Sequence, residues 1–195
     1  LDGRCEFDVA VARLPIERAN EAICRRALGP NRKMGSTVTL LVIRDDRAIV
    51  AHVGDSRAYR MRDGQFEQLT TDHSLYNDLL RAGAPDMPPK HQFAMGNVIT
   101  KVLGRPATEP DITVLDVRPG DAFLLCSDGV GDYIDEELSI AALSKLTPEE
   151  AVPLFIDQAL VMGSSDNVTA VVAKVIDNMA DARPTLNPNV FLGRA

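Results

Sequence analysis

Residues 37–69 read TVTLLVIRDDRAIVAHVGDSRAYRMRDGQFEQL, and this stretch decides the class of fold. Thr37–Ile43 and Ala48–Val53 are rich in β-branched residues, and the four polar residues Arg44-Asp45-Asp46-Arg47 between them have the composition of a hairpin. Ala58–Met61 and Phe66–Leu69 flank Arg62-Asp63-Gly64-Gln65, whose Asp-Gly step favours the left-handed backbone of a tight reversal. Strand therefore follows strand across short turns, which predicts antiparallel pairing and excludes a strict alternation of strands with helices.

Working upstream, Ile16, Ala19, Ile23 and Ala27 recur at helical spacing, so a helix is expected over Pro15–Leu28, with Pro15 in its first turn and Gly29-Pro30 as its stop. Downstream, Ser74–Ala82 has a helical pattern that Ala84-Pro85-Asp86-Met87-Pro88-Pro89 cannot continue, so the chain to about Asn97 reads as an irregular excursion. Ile112–Val117 and Ala122–Ser127 are expected to pair across the turn Arg118-Pro119-Gly120-Asp121. Asp135 is placed to cap a helix over Glu136–Ser144. Thr147-Pro148-Glu149-Glu150 is a capping box opening a helix to about Val161, with Ala151, Val152, Phe155, Ile156, Ala159 and Leu160 as its apolar stripe. Val168–Val175 reads as a final strand, and residues 178–195, with Pro184 and Pro188, as a tail or linker. The class is α+β, and residues 1–177 are expected to form one domain.

The composition supports a folded body: 45% of the 195 residues are hydrophobic and 25% charged. Twenty-eight acidic against 21 basic side chains leave a net charge of −7, which disfavours a grip on nucleic acid or an anionic membrane. Cys5, Cys24 and Cys126 are odd in number and widely spaced, matching neither a disulfide framework nor a zinc knuckle, so a reducing, cytoplasmic setting is expected. The longest apolar runs, such as Leu40-Leu41-Val42-Ile43, fall far short of the roughly 18 residues of a membrane span.

Chemistry is expected where strands end in aspartate. Asp55 lies in His52-Val53-Gly54-Asp55-Ser56-Arg57, Asp128 in Leu124-Leu125-Cys126-Ser127-Asp128-Gly129, and Asp166 in Ser164-Ser165-Asp166-Asn167-Val168-Thr169. Taken singly, each reads first as turn or cap chemistry, since Asp beside Gly or Asn is common in turns. Brought close, three carboxylates would repel unless a hard cation lay among them, and oxygen ligands suit Mg²⁺ or Mn²⁺. The chain has no His-x-x-x-His or Cys-x-x-Cys pattern of the kind that holds zinc. His52 reads as a core residue, His73 as part of a helix entrance capped by Thr71 or Asp72, and His91 has no assignable role.

In order along the chain, Met34-Gly35-Ser36-Thr37, Ala51–Arg60, Leu69–Leu75, Arg118-Pro119-Gly120-Asp121, Leu124–Gly129 and Ser165–Thr169 resemble the successive motifs of the metal-dependent PPM (PP2C-like) protein serine/threonine phosphatases, bacterial type. The resemblance runs from about Ile16 to Val175. It implies a four-layer αββα sandwich of two antiparallel sheets flanked by helices. It also implies that Asp128 and Asp166 are metal ligands of a paired Mn²⁺ or Mg²⁺ centre, with Asp55 joining Asp128 at a third, looser site. Leu75–Asn97 would be the flap that influences substrate choice, and Asn167 would orient its neighbour's backbone. The implied reaction is attack of a metal-activated water on a phosphoserine or phosphothreonine of a protein, opposing a Ser/Thr kinase.

The family's opening section is missing: there is no Arg-x-x-Asn-x-Asp/Glu stretch and no strand leading to Asp-Gly-x-Gly-Gly, hence no metal-bridging aspartate. Asp2-Gly3 echoes that pair, but Arg4-Cys5-Glu6-Phe7 follows in place of a glycine-rich turn. The domain is therefore expected to be N-terminally incomplete, either a truncated phosphatase or a shortened relative. Two functions remain open at this point: a metal-dependent protein phosphatase, or a non-catalytic phosphatase-like binding or regulatory module.

Overall fold

The computed structural model describes residues 9–27 and 34–177. Asp2, Cys5, the Gly29-Pro30 stop and the tail 178–195 lie outside the described residues. The chain order is α1 (Ala10–Arg26), β1 (Val38–Arg44), β2 (Arg47–Val53), β3 (Arg57–Arg62), β4 (Gln65–Gln68), α2 (Leu75–Arg81), β5 (Asp111–Asp116), β6 (Ala122–Cys126), α3 (Asp128–Gly131), α4 (Glu136–Lys145), α5 (Pro148–Val161) and β7 (Ala170–Lys174). The fold is α+β, two antiparallel sheets with flanking helices. By its contacts the chain forms two compact units, one taking the chain to Asp55 and then Thr71–Asp116, the other taking Ser56–Thr70 and the chain from Val117.

The first unit is built on a three-stranded sheet in the order β1-β2-β5. Arg44 faces Arg47 across the β1/β2 turn, leaving Asp45 and Asp46 as a two-residue loop in which Asp45 takes a φ of 54°. Along β2 the pleat sends Ile49, Ala51 and Val53 to one side, where they meet Ala12 and Ile16 of α1 together with Leu103. β2 is central and buried on both faces, which is why Ala48–Val53 reads as a nearly continuous apolar run. Pro15 is interior to α1, not in its first turn, because the helix already begins at Ala10. The carbonyl that loses its donor there is that of Val11, a residue 54% exposed, so water can replace the missing N–H.

The second unit holds a four-stranded sheet in the order β4-β3-β6-β7. Asp63 (φ 52°) and Gly64 (φ 77°) are both left-handed, as a tight β3/β4 reversal requires. Phe155, Val152, Ala151 and Ala159 of α5 and Leu143 of α4 pack on Tyr59, Leu124 and Ala170 of the sheet. Burying a side chain as large as Phe155 or Leu124 contributes about 1.5–3 kcal/mol. α4 is capped by Asp135, which accepts from the Leu138 N–H, and α5 by the complete Thr147/Glu150 box. Leu160, expected in the buried stripe, is 46% exposed because it falls in the last turn of α5, beyond the core cluster.

The expected pairing of Ile112–Val117 with Ala122–Ser127 does not occur. β5 pairs with β2, while β6 lies between β3 and β7. The turn Arg118–Asp121 thus passes the chain from one sheet to the other. Its job is structural: the buried Asp121 carboxylate accepts two bonds of 2.6 Å from the Arg62 guanidinium and a third, of 3.0 Å, from the Arg118 N–H. The Asp121 carbonyl accepts from Val175, so this one residue fastens the turn to β3 and to the end of β7.

Candidate functional site

β6 ends at Cys126, and the next residue, Ser127, is the N-cap of α3, a single helical turn that the sequence pattern did not reveal. Ser127 ties this turn to the loop entering β7. Its N–H donates to the Thr169 carbonyl, its hydroxyl donates to the Asn167 carbonyl, and the Thr169 N–H donates back to the same hydroxyl. From the other side the Ser164 hydroxyl donates to the Gly129 carbonyl at 2.8 Å. Gly129 has no space for a side chain: a Cβ would fall within 3.0 Å of the Asn167 carbonyl oxygen and 3.5 Å from Cβ of Asp166. The segments 127–129 and 164–169 are thus locked together, each carrying one of the expected aspartates.

The two carboxylates are arranged alike. Asp128 Oδ1 accepts from the Gly129 N–H at 2.9 Å, and Asp166 Oδ1 accepts from the Asn167 N–H at 2.7 Å. Among the described residues no hydrogen bond or ion pair engages the second oxygen of either, and neither lies within ion-pair distance of a Lys, Arg or His. Asp128 is half-buried and Asp166 exposed. A pair of hard oxygen donors without an internal counter-charge fits Mg²⁺ or Mn²⁺ in the choice of ligand atoms. Asn167 presents its backbone, its N–H to Asp166 and its carbonyl to Ser127.

Asp55 belongs to the other unit, just beyond β2. Gly54 before it takes a φ of 115°, with Cα of Thr37 3.2 Å from where a Cβ would stand, so only glycine serves there. Among the described residues no group of three or more His, Cys, Asp or Glu side chains is gathered to hold a metal ion.

Beside Gly54 lies a cluster that the sequence did not disclose. His52 and His73 are buried and stacked, ring centroids 4.6 Å apart and planes 11° from parallel. His73 is no part of the cap of α2: Ser74 caps that helix, its hydroxyl accepting from the Asn77 N–H. The Gly54 N–H donates to His73 Nδ1 at 3.0 Å, which places the ring proton on Nε2. That nitrogen lies 3.1 Å from Asp111 Oδ2, within ion-pair distance though without hydrogen-bond alignment, and Asp111 also receives Lys101 Nζ at 2.6 Å. His52 Nε2 donates to the Thr71 carbonyl at 3.0 Å. Burial, the largest influence, pushes both imidazoles below their ordinary pKa, so the pair is neutral near pH 7. Burial would raise Asp111, but Lys101 and the His73 ring outweigh it and hold that carboxyl below the usual carboxylate range. The sequence signal for this cluster reached only His52, two residues before the strand-end Gly54; its partner His73 lies 19 residues beyond that glycine, with nothing local to join them. His91 is exposed, its ring nitrogen meeting the Gln92 amide at 3.1 Å.

Comparison with known proteins gives these residues a context. The family profile described as Protein phosphatase 2C matches residues 9–176. The serine/threonine protein phosphatase PstP of Mycobacterium tuberculosis (strain H37Rv) is 36% identical over 144 residues, 74% of this chain but 28% of that protein. Protein phosphatase PhpP of Streptococcus pneumoniae is 36% identical over 153 residues, 77% of this chain and 61% of the other. The chain therefore spans less than two thirds of the length of these curated relatives. A crystal structure of the Mycobacterium tuberculosis phosphatase PstP/Ppp superimposes with a TM-score of 0.79 at 32% identity, covering 90% of this chain and 77% of that one. The PstP catalytic domain solved with two manganese ions gives a TM-score of 0.77 at 32% identity, covering 90% and 75%. The matched span takes in both strand-end aspartates of the locked loops, Asp55 and the whole of both sheets, and the chain is a member of the protein phosphatase 2C family.

Proposed function

We propose that this chain supplies most of a metal-dependent protein serine/threonine phosphatase domain, residues 1–177 followed by a tail, in which Asp128 and Asp166 bind Mn²⁺ or Mg²⁺ and Asp55 serves a third, looser ion. The observation that carries the reading is the pair of locked loops, each presenting a carboxylate whose second oxygen has no partner among the described residues. When bound, the ions supply positive charge that polarises a phosphoryl group and activates water. The chain's own contribution is to hold the ligands. Each backbone N–H bond to Oδ1 fixes a carboxylate rotamer, and the Ser127 and Ser164 hydroxyls fix the spacing of the two backbones. The substrates would be phosphorylated proteins of a Ser/Thr kinase pathway. The ions, not the protein with its net charge of −7, would offset the phosphate. The unbridged Cys24 and Cys126 suit a cytoplasmic setting.

A second reading, a phosphatase-like binding module without hydrolysis, is favoured by one observation, the lack of a three-residue cluster among the described residues. Calorimetric titration with Mn²⁺ and hydrolysis of a phosphothreonine peptide separate the two. The phosphatase reading expects heat of binding and, in the complete phosphatase domain, turnover only with added Mn²⁺ or Mg²⁺, with loss of both in Asp128→Asn and the fold intact, since asparagine keeps the acceptor for the Gly129 N–H. Binding of the peptide without turnover would favour the module, and turnover undiminished by excess chelator would remove the metal from the account.

A further inference from the structure

The turn that carries Asp55 contains its own source of looseness. Gly54 sits at a φ of 115°, and a residue without Cβ leaves the direction of the following side chain underdetermined unless something holds the peptide. One residue does so from both sides. The Gly54 N–H donates to the ring Nδ1 of His73 at 3.0 Å, and the His73 backbone N–H donates to the Gly54 carbonyl at 2.8 Å. The His73 carbonyl in turn accepts from the Thr100 N–H at 2.9 Å, and the next two residues bond the far end of the 75–97 excursion, Ser74 bridging Ile99 and the Leu75 N–H donating to the Val98 carbonyl. The ring cannot swing away, because His52 stacks on its face and the Asp111 carboxylate stands 3.1 Å from Nε2. The negative charge of that carboxylate, though not aligned for a hydrogen bond, favours the proton on Nε2 and with it the tautomer in which Nδ1 keeps the lone pair that Gly54 needs.

We infer that His73 is the positioning residue for Asp55, clamping the Gly54 peptide by ring and backbone together, with Asp111 setting the ring's tautomer and the base of the excursion fastened to the same clamp. The inference rests on the reading of Asp55 as a metal ligand only for its functional consequence; the clamp itself is independent of any ion.

Two side chains of similar polarity separate a clamp from mere filling. In His73→Asn the amide oxygen reaches the position of Nδ1 and can still accept from Gly54. In His73→Gln the amide reaches the position of Nε2 and leaves the Gly54 N–H unpaired. The readout is hydrogen exchange of the Gly54 amide by NMR in the metal-free chain, followed by Mn²⁺ titration calorimetry. Exchange close to wild type is expected in His73→Asn. In His73→Gln exchange should quicken about five- to tenfold, the worth of one buried hydrogen bond, with weaker Mn²⁺ binding at the looser site. Equal exchange in both variants, or protection retained in His73→Gln, overturns the proposal. Should both fail to fold, Asp111→Asn, at a residue on an edge strand with its side chain 56% exposed, leaves His73 in place. It is expected to quicken Gly54 exchange roughly threefold, and an unchanged rate overturns the proposal. Asp55→Asn distinguishes the two layers: an unchanged Mn²⁺ isotherm defeats the ligand reading, while the Gly54 exchange rates still judge His73.

Discussion

Replacing Gly129 by alanine sets a helix preference against a steric one. Gly129 lies inside α3, and by intrinsic propensity an alanine in a helix gains about 1 kcal/mol over glycine. The structure assigns the opposite sign. The new Cβ would stand 3.2 Å from the carbonyl carbon of Asn167 and inside 3.0 Å of its oxygen, with backbone and not a flexible side chain as the obstacle. Carbon and carbonyl oxygen meet comfortably at about 3.3–3.6 Å, so the 164–169 loop must retreat by about 1 Å. Overpacking of this kind costs about 1–3 kcal/mol, so Gly129→Ala is expected to lower stability by a net ~0–2 kcal/mol. The larger effect falls on Asp166, whose Cβ is 3.5 Å from the same point and moves with the loop. A displacement near 1 Å at a positioned group costs on the order of a hundredfold in rate. Urea denaturation gives the stability and Mn²⁺ calorimetry the affinity, and a phosphothreonine peptide assay reports activity. A variant that is more stable than the parent and binds Mn²⁺ with unchanged affinity would refute the claim that the two loops are locked at van der Waals contact.

Two further outcomes follow from the ion pairs and the histidines. Asp121→Ala removes both Arg62 bonds and the Arg118 N–H acceptor from a buried site, and should cost about 3–5 kcal/mol in chemical denaturation, whereas the double change Arg62→Met with Asp121→Leu should recover most of that loss. Stability should also fall on acidification in two stages. His52 and His73 have folded-state pKa values below 6.5, so the unfolded chain binds protons first, and their contribution, complete above about 6.5, begins to fall below that value and is lost as pH drops through the lower folded-state values. The groups facing them are Asp111, Asp72, Lys101 and Arg81, with Thr71 accepting from His52. Burial would raise Asp121, but Arg62 and the Arg118 N–H hold it below 3.8, so its contribution persists until pH falls below that range. A denaturation midpoint that is flat between pH 7 and 5 would contradict the histidine stage.

Legibility in the sequence followed the range of the interaction. The β1/β2 and β3/β4 reversals were readable because Asp45-Asp46 and Asp63-Gly64 determine them within a few residues. Arg118-Pro119-Gly120-Asp121 misleads for the same reason: a Pro-Gly turn states that the chain reverses and says nothing about which strand each arm will join, which Arg62 and Val175 decide from afar. Asp128 was readable as a carboxylate just past a strand, whereas Asp166 stands in the loop four residues before β7. The Ser127 hydroxyl that binds their loops together was not readable, since its partner is 40 residues away. His73 reads as helix entry in the sequence because three polar residues, Thr71, Asp72 and Ser74, crowd the start of α2 and any of them can cap it. Once Ser74 takes that role, the imidazole is released to pair with Gly54.

The bond between Arg62 and Asp121 joins residues 59 positions apart, and it has a consequence for synthesis. At about 5–20 residues per second the β3/β4 hairpin leaves the ribosome several seconds before β6 exists to flank it. Throughout that interval the guanidinium stays hydrated and the open edge of β3 is available to any other extended segment, including one from a neighbouring nascent chain. The hazard for this protein in the cell is therefore greatest at rare codons or stalls between residues 63 and 121, where slowing translation lengthens the wait.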